Sequence, residues 1–470
     1  MQSPGEFLRL VVKSEWTIRT FSNRHVPVRD HAVVIEGERI VDITRDPPES
    51  WPTIDLPGGI AFAGCINLHN HTINAPLFRG IVDDLPRRAI GESKVYSILM
   101  PMGALAMTYL NDDDLEALVA LGLLEVMKSG VTTLVDQFRP KQQVIFELAQ
   151  RWGLRFYGAP YLFSAASKVG DQQVAAAAQG SFDDETGLAT FERLFKDYDQ
   201  GANGAIRVIL GPHAADSCAP DLLGTVNRIA RERELLTTIH LAQSQGEIDR
   251  IAAERGMGPA AYMESVGLFR EGVIFAHGTH LTDAELGQLS SSGAGLANCA
   301  SVFLRGGKSP NFERFKSHGV KVGLGTDAER MDFFSQMRAT GFASKQAFGA
   351  GSAATAAELF HAATITSADI LRRPDLGRLE PGRTADLVVV DAMKAHLQPI
   401  RDPIRSLVWY ASSADIDTVI IGGKPVVRNG RLERVDESAI VRKGRDATWR
   451  LWEESKRRGH FPAEAEPASL

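Results

Sequence analysis

Eight short apolar runs between residues 60 and 326, each followed by helix-like sequence, constrain this chain more than any other feature. They span 60–68, 131–136, 154–160, 206–212, 236–241, 273–277, 294–298 and 320–326. Strands that alternate with helices pair in parallel, and eight such units close into a barrel. The helix signal is clearest from Asp112 to Ser129. There Leu115, Leu118, Val119, Leu123, Val126 and Met127 keep three- and four-residue spacing, and Gly130 follows. In such a barrel, the side chains that end the strands meet at one mouth.

The two ends of the chain have a different texture. Phe7–Val12 and Ala32–Ile35 are β-rich, and a turn leads from the latter into Ile40–Ile43. Ala385–Val390 matches them near the other end. Thr418–Ile421, Gly422-Gly423 and Pro425–Val427 read as a hairpin. The expected fold is an α/β (β/α)8 TIM barrel with a small β-sandwich domain built from both chain ends. The expected boundaries are 1–58 and 381–435 for the sandwich, 59–380 for the barrel, and 436–470 for a charged helical tail that frays at its end.

Length and charge agree with this division. A chain of 470 residues exceeds one ordinary core. Lys+Arg number 52 and Asp+Glu 58, a net charge of −6, which gives no electrostatic case for nucleic acid or an anionic membrane. The cysteines, Cys65, Cys218 and Cys299, are few and far apart, which argues against a disulfide framework and for a reducing compartment. Met1–Glu6 lacks the features of a signal peptide, and the apolar runs are strand-length or interrupted. The expectation is a cytoplasmic protein acting on small molecules, with no nucleic-acid or membrane partner.

Six of the twelve histidines end apolar runs: His69, His71, His213, His240, His277 and His280. His69 and His71, two apart on a strand, face the same side. His240 closes 235–239, His277 closes 273–276, and Asp327 closes 320–326. Any one of these alone is a polar residue starting a loop. Together, on strands one, five, six and eight, they describe a metal site. A set rich in histidine, with a carboxylate and no cysteine, suits zinc or iron rather than magnesium or calcium. His280, three residues after His277, reads as structural.

The segments Gly64-x-x-Asn67-x-His69-x-His71, Gly211-Pro212-His213, His240-Leu241-Ala242, Ala276–Leu281, Gly325-Thr326-Asp327 and Leu376–Leu387 resemble the amidohydrolase superfamily. The nearest branch holds cytosine and guanine deaminases, S-adenosylhomocysteine deaminase and s-triazine hydrolases. The resemblance implies one divalent metal, zinc with iron as the alternative, held by His69, His71, His240 and Asp327. It implies His277 beside the attacking water, Asp327 as proton shuttle, and His213 against the substrate. The fourth run, Ile206–His213, lacks the lysine that bridges two metals in binuclear members, so a mononuclear site is implied. A homodimer or higher homo-oligomer is the family expectation.

The match departs at Gln243, where the deaminase branch usually has Glu to protonate a ring nitrogen. Gln hydrogen-bonds but cannot supply that proton. Glu247 reads as a solvated helix residue, with a substitute role open. Met100 and Met102 offer an adaptable wall or ordinary packing, and Arg330 reads as exposed. The expected function is metal-dependent hydrolysis of a non-peptide C–N bond in an amide, carbamate or substituted amine on a small aromatic or heterocyclic molecule. The alternatives are hydrolytic deamination of a purine, pterin or s-triazine, dechlorination of a triazine, or a non-catalytic relative.

Overall fold

The computed structural model describes residues 8–82, 84–85, 95–139, 141, 143–164, 184–328 and 330–460. Met1–Glu6, Arg87–Lys94, the Tyr96 side chain and the terminal 461–470 lie outside the described residues.

Five strands come first: β1 (Arg9–Phe21), β2 (Arg24–Arg29), β3 (Ala32–Glu36), β4 (Arg39–Thr44) and β5 (Thr53–Ala63). The barrel strands follow as β6 (Cys65–Asn70), β7 (Val131–Phe138), β8 (Arg155–Leu162), β9 (Ile206–Val208), β10 (Gly211–Pro212), β11 (Thr237–Leu241), β12 (Val273–His277), β13 (Gly295–Asn298) and β14 (Lys321–Leu324). The chain closes with β15 (Leu387–Val390), β16 (Ile416–Ile421), β17 (Lys424–Arg428) and β18 (Arg431–Leu432).

The strands β6 to β10 and β11 to β14 form two parallel sheets. Parallel bridges Leu210–Thr237 and Ala214–His240 join them on one side, and Asn70–Asp327 joins them on the other. The result is a closed TIM-type barrel in which the fourth strand is the broken pair β9 and β10. Side chains alternate as the two-residue period of a strand requires. Ile66, Leu68, Val135, Tyr157, Ile209 and Ile274 pack together, while Leu134, Phe156, Val208 and Phe275 join the helix-facing core. Burial on both faces explains why these strands read as nearly continuous apolar runs.

The chain ends build a nine-stranded sheet in the order β18-β17-β16-β15-β5-β1-β3-β4, with β2 on the edge of β1. Antiparallel pairing of β15 with β5, Leu387 opposite Ala63, unites the two ends. A buried ion pair couples this sheet to the barrel. Arg155 on β8 donates from Nε and Nη2 to Asp386 at 2.9 and 3.1 Å, and Asp386 also accepts the Gly422 backbone N–H at 2.7 Å.

The run 60–68, expected as one barrel strand, is two. Its first part ends β5 in the nine-stranded sheet, and β6 begins the barrel at Cys65. The switch falls at Gly64, where a Cβ would lie 2.2 Å from the Thr132 side chain. The helix foreseen from Asp112 runs to Met127, capped by the Asn111 side chain on the Asp114 N–H and opened by three acids. The tail forms a helix, Glu437–Arg457. Among the described residues, no helix is long and apolar enough to cross a membrane.

Candidate metal centre and its cavity

The barrel gathers His69, His71 and His240 so that one ring nitrogen from each lies within 4.8 Å of the others. All three are buried, and burial holds the His71 and His240 imidazoles down to about 4. Burial, then neighbouring imidazoles, holds His69, His213 and His277 well below the ordinary value. All five are therefore neutral near pH 7, the form that ligates metals.

Hydrogen bonds fix which nitrogen carries each proton. His71 Nδ1 lies 2.8 Å from the Gln137 carbonyl, and His240 Nδ1 contacts the His213 carbonyl. A carbonyl only accepts, so both Nδ1 atoms bear hydrogen and both Nε2 atoms hold lone pairs. Those Nε2 atoms face each other at 3.2 Å. Two lone pairs at that distance repel unless a cation lies between or beside them. His69 adds two buried ring nitrogens with no hydrogen-bond partner. Asp327 stands beside them, with Oδ1 3.5 Å from His71 Nε2 and Oδ2 3.7 Å from His277 Nε2. The residues fit one divalent metal of the zinc type.

Backbone geometry marks the same place. His277 has φ +83° and Asp327 φ +58°, left-handed conformations that are costly for residues other than glycine. Such strain collects where function demands a particular side-chain direction. Cys299 also approaches His69 and His277. Burial and the Asp327 charge push its thiol well up from the ordinary cysteine value.

Above the cluster opens a cavity of about 1170 Å³, including its mouth. His71, His240, His277, His213, Gln243 and Asp327 all line it. His277 meets Phe303 edge-on at 5.0 Å, and Leu99, Met100 and Val302 extend the apolar wall. His213 stacks on Phe163 at 4.5 Å and binds Ser217 Oγ through Nδ1 at 2.8 Å, leaving Nε2 for the cavity. The methionines divide: Met100 lines the cavity, and Met102 is buried in helix packing. His280 stands apart, half-buried and outside the lining. Arg330 is exposed and pairs with Asp332 at 3.3 Å.

Glu247 overturns its expectation as a solvated helix residue. It is fully buried at the start of the helix Gln245–Arg255. Its Oε1 accepts the Ala242 N–H at 2.7 Å and its Oε2 the Gln243 N–H at 2.9 Å. The carboxylate thus holds the left-handed turn at Ala242, φ +52°, that delivers Gln243 to the cavity. Burial and Asp216 push its pKa up, while the two N–H donors and Arg250 oppose that shift. The sequence carried one signal for this role: Ser244 and Glu247 have the three-residue spacing of a capping box. Ser244 Oγ does accept the Glu247 N–H at 3.2 Å.

The chain is similar to known proteins. A 5-methylthioadenosine/S-adenosylhomocysteine deaminase of Bacillus thuringiensis is 30% identical over 441 residues, 90% of this chain and 95% of that protein. The zinc-bound structure of an adenosine deaminase from Xanthomonas campestris superposes with a TM-score of 0.81 at 22% identity, over 94% of this chain and 98% of that one. An atrazine chlorohydrolase from Arthrobacter aurescens, complexed with zinc, gives 0.81 at 23% identity, over 93% and 100%. At those identities the two structures speak for the fold. The amidohydrolase family's sequence profile matches residues 60–426, and with this span the chain belongs to the amidohydrolase family.

Proposed function

We propose that this chain hydrolyses a non-peptide C–N bond in a small aromatic or heterocyclic molecule, at one divalent metal held by His69, His71, His240 and Asp327. The observation that carries the reading is the pair of Nε2 lone pairs facing each other at 3.2 Å beside Asp327, at the floor of an open cavity. When bound, the metal supplies a Lewis acid and lowers the pKa of a water towards ~7. Zinc is the metal proposed over iron, supported by the donor set and by the zinc in structures of the same fold.

The side chains supply the rest. Asp327 accepts the proton released as water attacks and returns it to the departing nitrogen. His277, 3.7 Å from Asp327, offers a hydrogen bond where negative charge develops on the substrate. His213 and Gln243 orient the substrate, and the Phe303 wall stacks on a flat ring.

Amide, carbamate and substituted-amine substrates are favoured within this class. Gln243 carries no acidic proton, and Glu247 has both oxygens committed to backbone N–H groups, so neither protonates a ring nitrogen. Deamination of an aminated heterocycle is the second reading, favoured by relatives named as deaminases. Mass-spectrometric identification of products on zinc-loaded protein separates them, using aminated purines, pterins, triazines, anilides and aryl carbamates. Cleavage at a carbonyl with release of an organic amine supports the first. Ammonia release with oxygen replacing an exocyclic NH₂ supports the second. Chloride release from a chlorotriazine points to dechlorination, and turnover that survives complete metal removal refutes the whole proposal.

The nine-stranded sheet is proposed to be a β-sandwich domain in its own right, with its first boundary moved from 58 to Gly64. A cytoplasmic homodimer or higher homo-oligomer, without nucleic-acid partners, is the proposed working form. Sedimentation of purified protein tests the assembly.

A further inference from the structure

Behind the histidines lies a second set of buried polar side chains: Asn67, Asn70, Thr72, Asp136 and Thr326, each at most 2% exposed. Asp136 Oδ2 accepts three donors: Asn70 Nδ2 at 2.7 Å, the Thr72 N–H at 2.8 Å and Thr72 Oγ1 at 2.7 Å. Thr326 Oγ1 donates to Asn70 Oδ1 at 2.8 Å and accepts from Asn67 Nδ2 at 2.6 Å. Asn67 Oδ1 takes the backbone N–H groups of His69 and Thr326 at 3.3 and 3.2 Å.

The chain of bonds has one polarity. A carboxylate only accepts, so Asn70 must turn its NH₂ towards Asp136. Its carbonyl oxygen then faces Thr326, whose hydroxyl must donate to it and can accept only from Asn67. Asp136 at one end and the two backbone donors on Asn67 Oδ1 at the other therefore set one direction for every bond between them, through Thr326, the residue before Asp327.

The location gives this direction a purpose. Strands β6 and β14 close the barrel, yet they share only the isolated bridge Asn70–Asp327. That bridge is the Asp327 N–H to the His69 carbonyl at 3.0 Å and the His71 N–H to the Asp327 carbonyl at 3.3 Å, and the Thr326 N–H also reaches the His69 carbonyl at 3.0 Å. At this seam β6 presents His69 and leads into His71, and β14 leads into Asp327. On its other edge β6 also shifts register against β7 between Asn67 and Asn70. A regular ladder does not set the spacing of these ligands, and the side-chain network spans the same seam.

We propose that Asp136 is a positioning residue: through Asn70, Thr72 and Thr326 it fixes the placement of His69 and His71 relative to Asp327. The inference rests on the metal site proposed above. Its test is the metal affinity of Asp136→Ala and Asp136→Asn, measured by chelator competition with zinc, together with the visible absorption of the cobalt(II)-substituted protein. Partners that orient metal ligands are worth about 10- to 100-fold in affinity. Asp136→Ala is expected to lose that much and to change the cobalt spectrum. Asp136→Asn, which keeps one acceptor oxygen of the same shape, is expected to restore most of both.

A residue that only supports the fold would lower the melting temperature of Asp136→Ala and leave affinity and spectrum as in the wild type, and that result overturns the proposal. If Asp136→Ala does not fold, Thr326→Val removes the hydroxyl at the far end and is read the same way. Wild-type protein that binds no metal overturns both the site and this inference. Wild-type and Asp136→Ala proteins that bind metal alike overturn this inference alone.

Discussion

Replacing Glu247 by Ala strips two backbone N–H groups, that of buried Ala242 and that of half-buried Gln243, of their acceptors. The Ala242 and Gln243 donors lie 2.7 and 2.9 Å from the oxygens of this fully buried side chain. Each orphaned donor costs about 1–3 kcal/mol, so the variant should lose about 2–6 kcal/mol of stability. Glu247→Gln keeps one acceptor but turns an NH₂ against the other N–H, and should fall near half that loss. Urea unfolding at unchanged slope gives the values directly. The function should suffer as well, because the released turn no longer holds Gln243 against the cavity. A misplacement of about 1 Å can cost about 100-fold in rate, so kcat/KM should drop while zinc per chain stays constant. A loss below about 1 kcal/mol with kcat/KM intact would show that the turn stands without the carboxylate, and would refute the reasoning.

Three further outcomes follow from other parts of the molecule. His71→Ala and His240→Ala should each lower zinc per chain measured by elemental analysis, and chelation should abolish wild-type turnover until zinc is returned. Asp386→Ala leaves Arg155 buried and uncompensated and should cost about 3–5 kcal/mol, whereas Arg155→Met with Asp386→Leu should regain much of it in urea unfolding. Burial, then His361 and Arg378, holds His25 down to about 3. An imidazole depressed in the folded state contributes stability that is complete above its unfolded pKa of about 6.5. That stability is lost as pH falls towards the folded value, so the unfolding free energy should fall by up to about 1.4 kcal/mol per pH unit over that window, and His25→Asn should flatten the slope.

The barrel was legible because both its strand period and its strand ends leave marks in sequence. Apolar runs closed by His69, His71, His240, His277 and Asp327 announce a mouth lined with donors, and the structure gathers all five there. What stayed hidden depended on contacts far apart in sequence or on single residues between elements. Two apolar strands separated only by Gly64 look like one strand, and nothing local shows that they join different sheets. Glu247 sits at a helix position that usually faces water. Its burial comes from reaching back over the helix start to the turn before it. The link from Asp136 to Thr326 spans strands at opposite ends of the barrel sequence, so no spacing rule could find it.

The weakly laddered seam between β6 and β14 has a consequence for how the protein holds together in time. The barrel's first and last strands meet last in chain order, and few backbone bonds keep them from parting. An ion held as proposed, by His69 and His71 on one side and Asp327 on the other, would act as a buckle across that join. Binding adds RT ln(1 + [L]/Kd) to the free energy of opening, about 4 kcal/mol at a thousandfold excess over Kd. Amide hydrogens along β6 and β14 should therefore exchange fastest in metal-stripped protein and slow together when zinc is restored. Loss of the metal would then be felt first as a barrel that breathes, before it is felt as a barrel that unfolds.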